Sequence, residues 1–401
     1  MMKRVCVLLE WSLNRDSRAQ RTARSMSRVA QVDVYFVRQN ADEIVNRDLF
    51  NENVELFQID RKTSVVDNVL RHSFFFLESR HMVREVLDTG RKYDVIYAHD
   101  LASSYAAHRL AKKLGAKIIY DVHDLSIETI NQQFPRNRSA IKLALFRTIV
   151  AFMKTVGRIW ERRFLKKVDL VLTTNPSYEQ YLRSHYAIGR IGVVTNYPEY
   201  KEVVRTRKLY QVLNVDEHKN LVLYHGMLND GRSLELITAS AEHFNDDNLL
   251  VIVGNGPLEG KLKAMVRSRG LERKVRFLDH VKYEELFSYA SSATIGVLLV
   301  EPINLSKKYA TANKVTEYMA SGIPVLASDS PEHRRLVGEA QCGFVKSFHS
   351  ERELGEFINE VTSDRERLAQ MGQTAQRAFK ERFNWTHEEP VFLNATQELL
   401  A

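Results

Sequence analysis

The chain has 401 residues, which is enough for two or three domains. Its 44% hydrophobic and 27% charged residues predict a globular protein with sizeable cores, and its 17 glycines exclude collagen-like and low-complexity chains. The net charge of +8 suggests an anionic partner, whether nucleic acid, lipid or a phosphorylated substrate. Cys6 and Cys342 lie far apart in apolar segments, so we expect neither a disulfide framework nor a cysteine metal cluster, and a reducing compartment is favoured.

No targeting or membrane-spanning segment is expected. The apolar start is followed at once by Glu10 and Trp11, which predicts a buried first strand rather than a signal peptide. The longest apolar tract, 143–156, is interrupted by Arg147 and Lys154. It is also shorter than the ~20 residues that cross a bilayer.

Short β-branched segments alternate with amphipathic stretches along the chain, which predicts parallel sheets covered by helices. The fold class is therefore α/β, with two doubly wound, Rossmann-like domains. The predicted strands are 5–9, 32–37, 54–59, 95–98, 117–120, 170–173, 192–195, 221–224, 249–253, 275–278, 295–299 and 324–327. Helices are predicted between them, for example at 234–244, 258–269, 284–290 and 314–321.

The polar, aperiodic segment 198–218 predicts a linker between an N-terminal domain, 1–197, and a C-terminal domain, 219–385. Residues 386–401 are expected to form a helix that packs back on the N-terminal domain. In doubly wound sheets ligands bind at the carboxyl ends of the strands, so the site residues are sought there.

Two turns of the C-terminal domain are candidates for binding phosphate. Strand 249–253 ends at Gly254-Asn255-Gly256, whose glycines would let the backbone approach a ligand at a helix N-terminus. Glu259 and Leu262 stand where a dinucleotide fingerprint and a P-loop need other residues, so neither motif is present and an ordinary tight turn is equally consistent. Arg232, in the turn after strand 221–224, either grips phosphate or is a solvated arginine.

The segment 307–325 is the most informative. Thr311 or Asn313 is expected to cap a helix that carries Lys314 in its first turn and ends before Gly322. Lys314 and Glu317 are three residues apart and share a face, which suits a diphosphate and a ribose, although a surface ion pair is the alternative.

Together these segments resemble the C-terminal half of the retaining glycosyltransferases of family 4, which have the GT-B fold. The matching segments are 226–232, 253–257, 275–278 and above all 309–325. The resemblance extends to Asp16-Ser17-Arg18 and to 168–173, and so covers nearly the whole chain. It implies two domains facing each other across a cleft, with acceptor bound by the N-terminal domain and a nucleotide-sugar by the C-terminal domain.

The resemblance also implies roles for individual residues. Arg232 and Lys314 would contact the diphosphate and Glu317 the ribose, while His123 would lie near the transferred sugar. The remaining expected donor contacts are Gly254, Asn255, Gly256, Leu278, His280, Val281, Thr311, Ala312 and Asn313.

Two positions depart from the family pattern. Tyr309 stands where the family often has a first glutamate, and Glu301 is too far back in the chain to replace it by counting. The backbone amides of 310–313 are the alternative contacts for the donor sugar. Met227 replaces an arginine that is common after the first glycine, which leaves Arg232 as the basic residue of that turn.

Two His-Asp pairs, His99-Asp100 and His123-Asp124, close predicted strands of the N-terminal domain. Their side chains could bind substrate, make structural hydrogen bonds or ligate a metal. We expect no metal, and we assign Asp16, Arg18, His99 and Asp100 to the acceptor side.

The positive charge is concentrated in one segment. Residues Arg136 to Lys167 contain ten basic side chains against one acidic residue, Glu161, with aromatic and aliphatic residues interleaved. This composition predicts an amphipathic helix at an anionic membrane surface. No recognition motif supports nucleic acid.

These observations predict a cytoplasmic glycosyltransferase, peripheral at the inner face of the plasma membrane. It would move a sugar with retention of configuration from a nucleotide-sugar to a membrane-associated glycan or lipid-linked acceptor of cell-envelope polysaccharide biosynthesis. No cofactor beyond this co-substrate is expected. A sugar-nucleotide epimerase of the same architecture and a non-catalytic sugar-nucleotide-binding membrane scaffold are the alternatives.

Overall fold

A computed structural model describes residues 2–38, 45–60, 77–130, 140–311 and 313–400. The chain forms two compact units. The first domain is Met1–Asn196 with Glu388–Ala401, and the second is Tyr197–His387.

The first domain is built on seven parallel strands in the order β3-β2-β1-β4-β5-β6-β7. Its central strands are buried on both faces, which explains their continuous β-branched and aliphatic sequence. The strands are β1 Arg4–Leu9, β2 Gln31–Val37, β3 Val54–Ile59, β4 Val95–His99, β5 Lys117–Val122, β6 Leu170–Thr173 and β7 Ile191–Val193. The α-helices described here are Ser17–Met26, Leu77–Asp88, Ser104–Leu114, Ser126–Thr129, Ala140–Leu165 and Pro176–His185.

The second domain is built on six parallel strands in the order β10-β9-β8-β11-β12-β13. They are β8 Asn220–His225, β9 Asn248–Val253, β10 Val275–Leu278, β11 Ile295–Leu298, β12 Val325–Ala327 and β13 Gly343–Val345. Its α-helices are Lys208–Leu213, Leu234–Ser240, Glu259–Ser268, Tyr283–Ala290, Leu305–Tyr309, Asn313–Ala320, Pro331–Ala340, Glu351–Thr362 and Arg365–Glu381. The predicted fold class, two doubly wound parallel α/β domains, is confirmed.

The predicted linker 198–218 is wrong as a separate element, because this segment belongs to the second domain. It contains the helix Lys208–Leu213, whose Leu209 is completely buried in the domain core. The final helix, Trp385–Leu400, enters the first domain at Glu388. There the Glu388 carboxylate accepts a hydrogen bond from the Thr195 amide at 2.9 Å.

The longest helix described is Ala140–Leu165, with 26 residues. Within the described part of the chain, no helix is both long enough and apolar enough to cross a membrane.

Arg18 forms a buried ion pair that joins the first helix to the sheet. Its Nε and Nη2 donate to the two oxygens of Asp121, in β5, at 2.9 and 2.8 Å, and its Nη1 donates to the Val194 carbonyl at 2.6 Å. The Tyr97 hydroxyl donates to the same carboxylate at 2.6 Å. Because Arg18 is only 1% exposed, the expectation that it contacts the acceptor is wrong: its guanidinium neutralises Asp121 inside the domain.

We therefore expect Arg18→Met to affect stability rather than acceptor binding. The substitution leaves the Asp121 carboxylate buried without its cation, which costs about 3–5 kcal/mol. In urea, the midpoint at which the first domain unfolds should decrease strongly. Arg15→Met, at an exposed position three residues earlier, should change this midpoint little. A wild-type midpoint for Arg18→Met would contradict this role.

Candidate active site

In the second domain, the loops after β8 and β9 lie directly against each other. The Leu228 amide donates to the Asn255 carbonyl at 2.9 Å. A Cβ atom on Gly254 would lie 2.1 Å from the Gly226 oxygen, and one on Gly256 would lie 2.6 Å from the Leu228 oxygen. Glycine is required at both positions because the neighbouring loop occupies the space that a side chain would need, and their expected contact with the donor stays a prediction.

The third glycine of this region, Gly226, makes room for Lys314. A Cβ atom on Gly226 would lie 2.8 Å from the Lys314 Cε and 3.0 Å from its Nζ. The same Nζ is 5.6 Å from the centre of the Tyr224 ring, a cation–π distance. The first turn of the helix Asn313–Ala320 thus places an ammonium group at the carboxyl end of β8.

The charges around Lys314 are unbalanced. Burial and the positive charge of Arg232 lower the pKa of Lys314 to about 8, Lys307 adds to this effect, and Glu317 opposes it. Burial and Lys314 also hold the pKa of His225 well below its ordinary value. A lysine whose pKa is lowered by neighbouring positive charge would be stabilised in its charged form by a bound anion.

Glu317 lies one turn along the same helix, as its spacing predicts. Its Oε2 is 3.7 Å from the Nε2 atom of His225, and its side chain is 13% exposed. His225 is a site residue that the sequence analysis missed. Its position as the last residue of β8 was the signal that could have revealed it.

The start of this helix differs from the prediction. The helix begins at Asn313, so Asn313 occupies the first turn and does not cap it. The Thr311 hydroxyl donates instead to Glu332, with 3.4 Å between the oxygen atoms. Ala312 lies outside the described residues.

Three of the expected donor contacts, Leu278, His280 and Val281, lie at and after the end of β10. The Leu278 carbonyl accepts a hydrogen bond from the Gly254 amide at 3.0 Å. The side chains of Leu278 and Val281 pack partly buried against the domain core, while His280 is exposed.

Glu301 is closer to the candidate site than its place in the chain suggests. Its amide donates to the Gly231 carbonyl at 3.1 Å, and its carboxylate lies 3.4 Å from the hydroxyl of Ser233. These two residues flank Arg232. Tyr309, at the position of the missing glutamate, ends the short helix Leu305–Tyr309, and Met227 is 62% exposed.

In the first domain, a histidine pair lies at the carboxyl ends of β4 and β5. The Nδ1 of His99 is 2.8 Å from the Nε2 of His123. The other ring nitrogen of His123 is 3.6 Å from Asp16 and 3.5 Å from Asp100. Asp100 has a left-handed backbone (φ 58°), and its carboxylate accepts a hydrogen bond from the His123 amide at 2.9 Å.

The two histidines have opposite protonation states. Burial lowers the pKa of His123, but Asp100, Asp16 and Asp121 outweigh burial and raise that pKa to about 10. Burial and the charge of His123 lower the pKa of His99 to about 4. At neutral pH the imidazolium of His123 therefore donates to a neutral His99, whose own proton is on Nε2.

Access to this cluster is restricted to its outer members. His99 is 1% exposed, so the expectation that it contacts the acceptor directly is wrong. The side chains of Asp16, His123 and Asp100 are 14%, 16% and 32% exposed. Partial burial raises the pKa of Asp100 to about 6, so this carboxyl group titrates just below neutral pH.

The ligand atoms of His99, Asp121 and His123 lie within 4.8 Å of one another, a spacing that a metal ion could bridge. Both oxygens of Asp121 already accept hydrogen bonds from Arg18, and the two imidazoles bond to each other. A metal ion would have to displace these bonds, so the groups present form a hydrogen-bonded cluster.

Solved structures with the same two-domain fold cover the whole chain. A sucrose-phosphate synthase from Thermosynechococcus elongatus is 16% identical with a TM-score of 0.77, and the match covers 99% of both chains. Anabaena HepE in complex with UDP and glucose is 16% identical with a TM-score of 0.72, over 98% of this chain and 99% of that one. WaaG, a glycosyltransferase involved in lipopolysaccharide biosynthesis, is 15% identical with a TM-score of 0.68, over 98% and 99%.

Two family profiles account for the two halves of the sequence, whereas no curated protein matches it. The profile described as a glycosyl transferase 4-like domain matches residues 17–196. The profile described as glycosyl transferases group 1 matches residues 189–378, which include Arg232, Lys314 and Glu317. The chain is therefore a group 1 glycosyltransferase with the GT-B fold.

Proposed function

We propose that this enzyme transfers a sugar, with retention of configuration, from a nucleotide-sugar to a membrane-associated glycan or lipid-linked acceptor in cell-envelope polysaccharide biosynthesis. The observation that carries the proposal is the Lys314 ammonium group at the end of β8, where Arg232 adds positive charge that Glu317 only partly offsets. A nucleoside diphosphate supplies the missing negative charge. The UDP bound to HepE and the role of WaaG in lipopolysaccharide biosynthesis support this assignment.

The same cations would serve both binding and chemistry. As the bond between the sugar and the diphosphate breaks, negative charge grows on the leaving phosphate. Lys314 and Arg232 stabilise that charge, and because they are held in place before the reaction they need not reorganise. Glu317 accepts hydrogen bonds from ribose hydroxyls.

We expect Lys314→Met to weaken binding of the donor and to slow transfer of its sugar. Loss of a hydrogen bond to a charged group should weaken binding of the matching nucleoside diphosphate about ten- to a hundredfold, and turnover should fall further. The assay is release of nucleoside diphosphate from a panel of UDP-, GDP- and ADP-sugars, followed by calorimetry with the nucleotide that the panel identifies. The anomeric configuration of the product, read by NMR, tests retention.

Lys314→Arg is the matched control, because it keeps the charge while changing the geometry, and it should retain more binding than Lys314→Met. Turnover of a folded Lys314→Met enzyme at the wild-type rate would refute the role of Lys314. Failure of the wild-type enzyme to release nucleoside diphosphate from any donor would refute the transferase proposal.

In the first domain, His123 is the accessible group expected near the transferred sugar, and Asp100 is the most accessible group expected on the acceptor side. The imidazolium of His123, with a pKa of about 10, is a hydrogen-bond donor at neutral pH and not a base. Asp100 in its ionised form can accept a hydrogen bond from an acceptor hydroxyl. Asp16 holds the first helix as its N-cap and helps to keep His123 protonated.

These assignments predict a bell-shaped dependence of kcat/KM on pH. Activity should rise as Asp100 ionises near pH 6 and fall as Lys314 loses its proton near pH 8. His123 stays charged across this range. Steady-state rates should show that Asp100→Asn removes the acid limb and that Lys314→Arg moves the basic limb to higher pH; limbs that stay in place in these variants would contradict the assignments.

The membrane surface is assigned to the outer face of the helix Ala140–Leu165. Ile149, Phe152 and Ile159 are 45%, 62% and 46% exposed on this face, whereas Val150 and Met153 are buried beneath it. Such a face buries apolar side chains at a lipid interface while basic residues meet anionic headgroups.

The structure reduces the number of basic residues available on this face. Lys154 and Arg158 form ion pairs with Glu128 at 3.2 and 2.7 Å, while Arg136 and Arg138 lie outside the described residues. Besides the paired Arg158, the basic side chains described as exposed on the helix and just after it are Arg147, Arg162, Arg163, Lys166 and Lys167. At about 1 kcal/mol each, they would contribute roughly 5 kcal/mol at an anionic surface.

We expect the protein to float with vesicles that contain phosphatidylglycerol at low salt, and to stay unbound with vesicles of phosphatidylcholine alone. Arg162→Glu combined with Arg163→Glu should abolish flotation, because it reverses two charges on the face. Lys112→Glu combined with Lys113→Glu reverses two exposed charges on the helix Ser104–Leu114 and should leave flotation unchanged. Equal flotation of both double variants would show that this helix is not the membrane surface.

A further inference from the structure

The second domain has a cavity at the amino ends of its central strands. Thr294 and Pro324, which line it, directly precede β11 and β12. The candidate donor site lies at the opposite, carboxyl ends. At ~3.3 Å per residue, the length of β8 separates the two by about 20 Å. A ligand in this cavity would therefore bind apart from the donor.

The lining of the cavity is strongly basic. Arg205, Arg207 and Arg365 all line it, against one carboxylate, Glu217, which is paired with Arg207. The Nε of Arg365 donates to the amide oxygen of Asn220 at 2.6 Å and its Nη2 donates to the His218 carbonyl, both neutral acceptors. Among the residues that the structure describes, no hydrogen bond or ion pair engages Arg205. Two positive charges are thus uncompensated.

These charges converge on one hydroxyl group. Burial raises the pKa of Tyr210, while a hydrogen bond with Thr294 and the charges of Arg365 and Arg205 oppose the rise. The two guanidinium groups come from segments 160 residues apart, and the fold brings both within electrostatic range of Tyr210. Such convergence of cations around a polar group is the arrangement that binds phosphate.

The size of the cavity limits the ligand. Its volume is about 220 Å³, below the ~300–1,000 Å³ of clefts that hold drug-sized molecules. We propose that this cavity binds a small phosphorylated anion with at least two negative charges, at a site separate from the donor site. The proposal does not depend on the donor assignment, because none of its residues belongs to the donor site.

Inorganic pyrophosphate is a suitable probe, titrated by calorimetry into the full-length protein. Because a diphosphate could also bind near Lys314, the titration uses Lys314→Met protein, in which that site is weakened. We expect binding that Arg205→Gln combined with Arg365→Gln, the two uncompensated arginines, weakens at least tenfold. Both positions are exposed, so the fold should survive, which the urea midpoint checks.

The matched control combines Lys201→Gln and Lys208→Gln. It removes two exposed charges that lie near Arg205 in the chain but do not line the cavity. Pyrophosphate affinity should stay within twofold of the value for the parent Lys314→Met protein. No pyrophosphate binding to the Lys314→Met protein at millimolar concentration would overturn the proposal. Equal weakening by the two double variants would overturn it as well, since it would show attraction to general surface charge and no defined site. If Lys314→Met itself leaves nucleotide binding intact, only the donor assignment fails.

Discussion

The second domain depends on a contact between two glycine backbones. The Cα atom of Gly254, with φ +141°, faces the carbonyl oxygen of Gly226 so closely that no side chain fits between them. This contact holds the β8 and β9 loops together. A Cβ atom on Gly226 would also collide with Lys314, whose ammonium group lies near the Tyr224 ring. The lowered pKa of Lys314 is the electrostatic result of its burial and of the charge of Arg232.

In the first domain, unlike around Lys314, the buried charges near His123 are balanced by neighbours of opposite sign. Arg18 neutralises Asp121, and Asp121 joins Asp16 and Asp100 in keeping His123 protonated. Each charged group of this cluster therefore lies beside one of opposite sign, which balances the cluster within the domain. The accessible edge of the cluster is formed by Asp16, His123 and Asp100, while Arg18 and His99 are buried behind it.

Much of this arrangement could be predicted from local sequence. The ends of β4, β5 and β8 lie where their apolar runs stop, and Lys314 and Glu317 share a helix face because their spacing is three. The places where prediction failed involve distant partners. Arg18 was expected on the acceptor side because nothing near it in the sequence indicates Asp121, 103 residues later, as its partner. Segment 198–218 reads as a linker because the core that buries Leu209 comes from other parts of the chain.

The sequence by itself determined twelve of the thirteen strands described, all but β13, and with them two doubly wound domains and a basic, partly apolar helix, because hydrophobic periodicity and charge spacing are local properties. Only the tertiary structure decided which of two histidines carries a proton, what fills the space beside Gly254, and that Arg205 and Arg365 line one cavity. These properties depend on distances through space between groups far apart in the chain. A pKa or a steric contact is set by such neighbours, so no local pattern contains it.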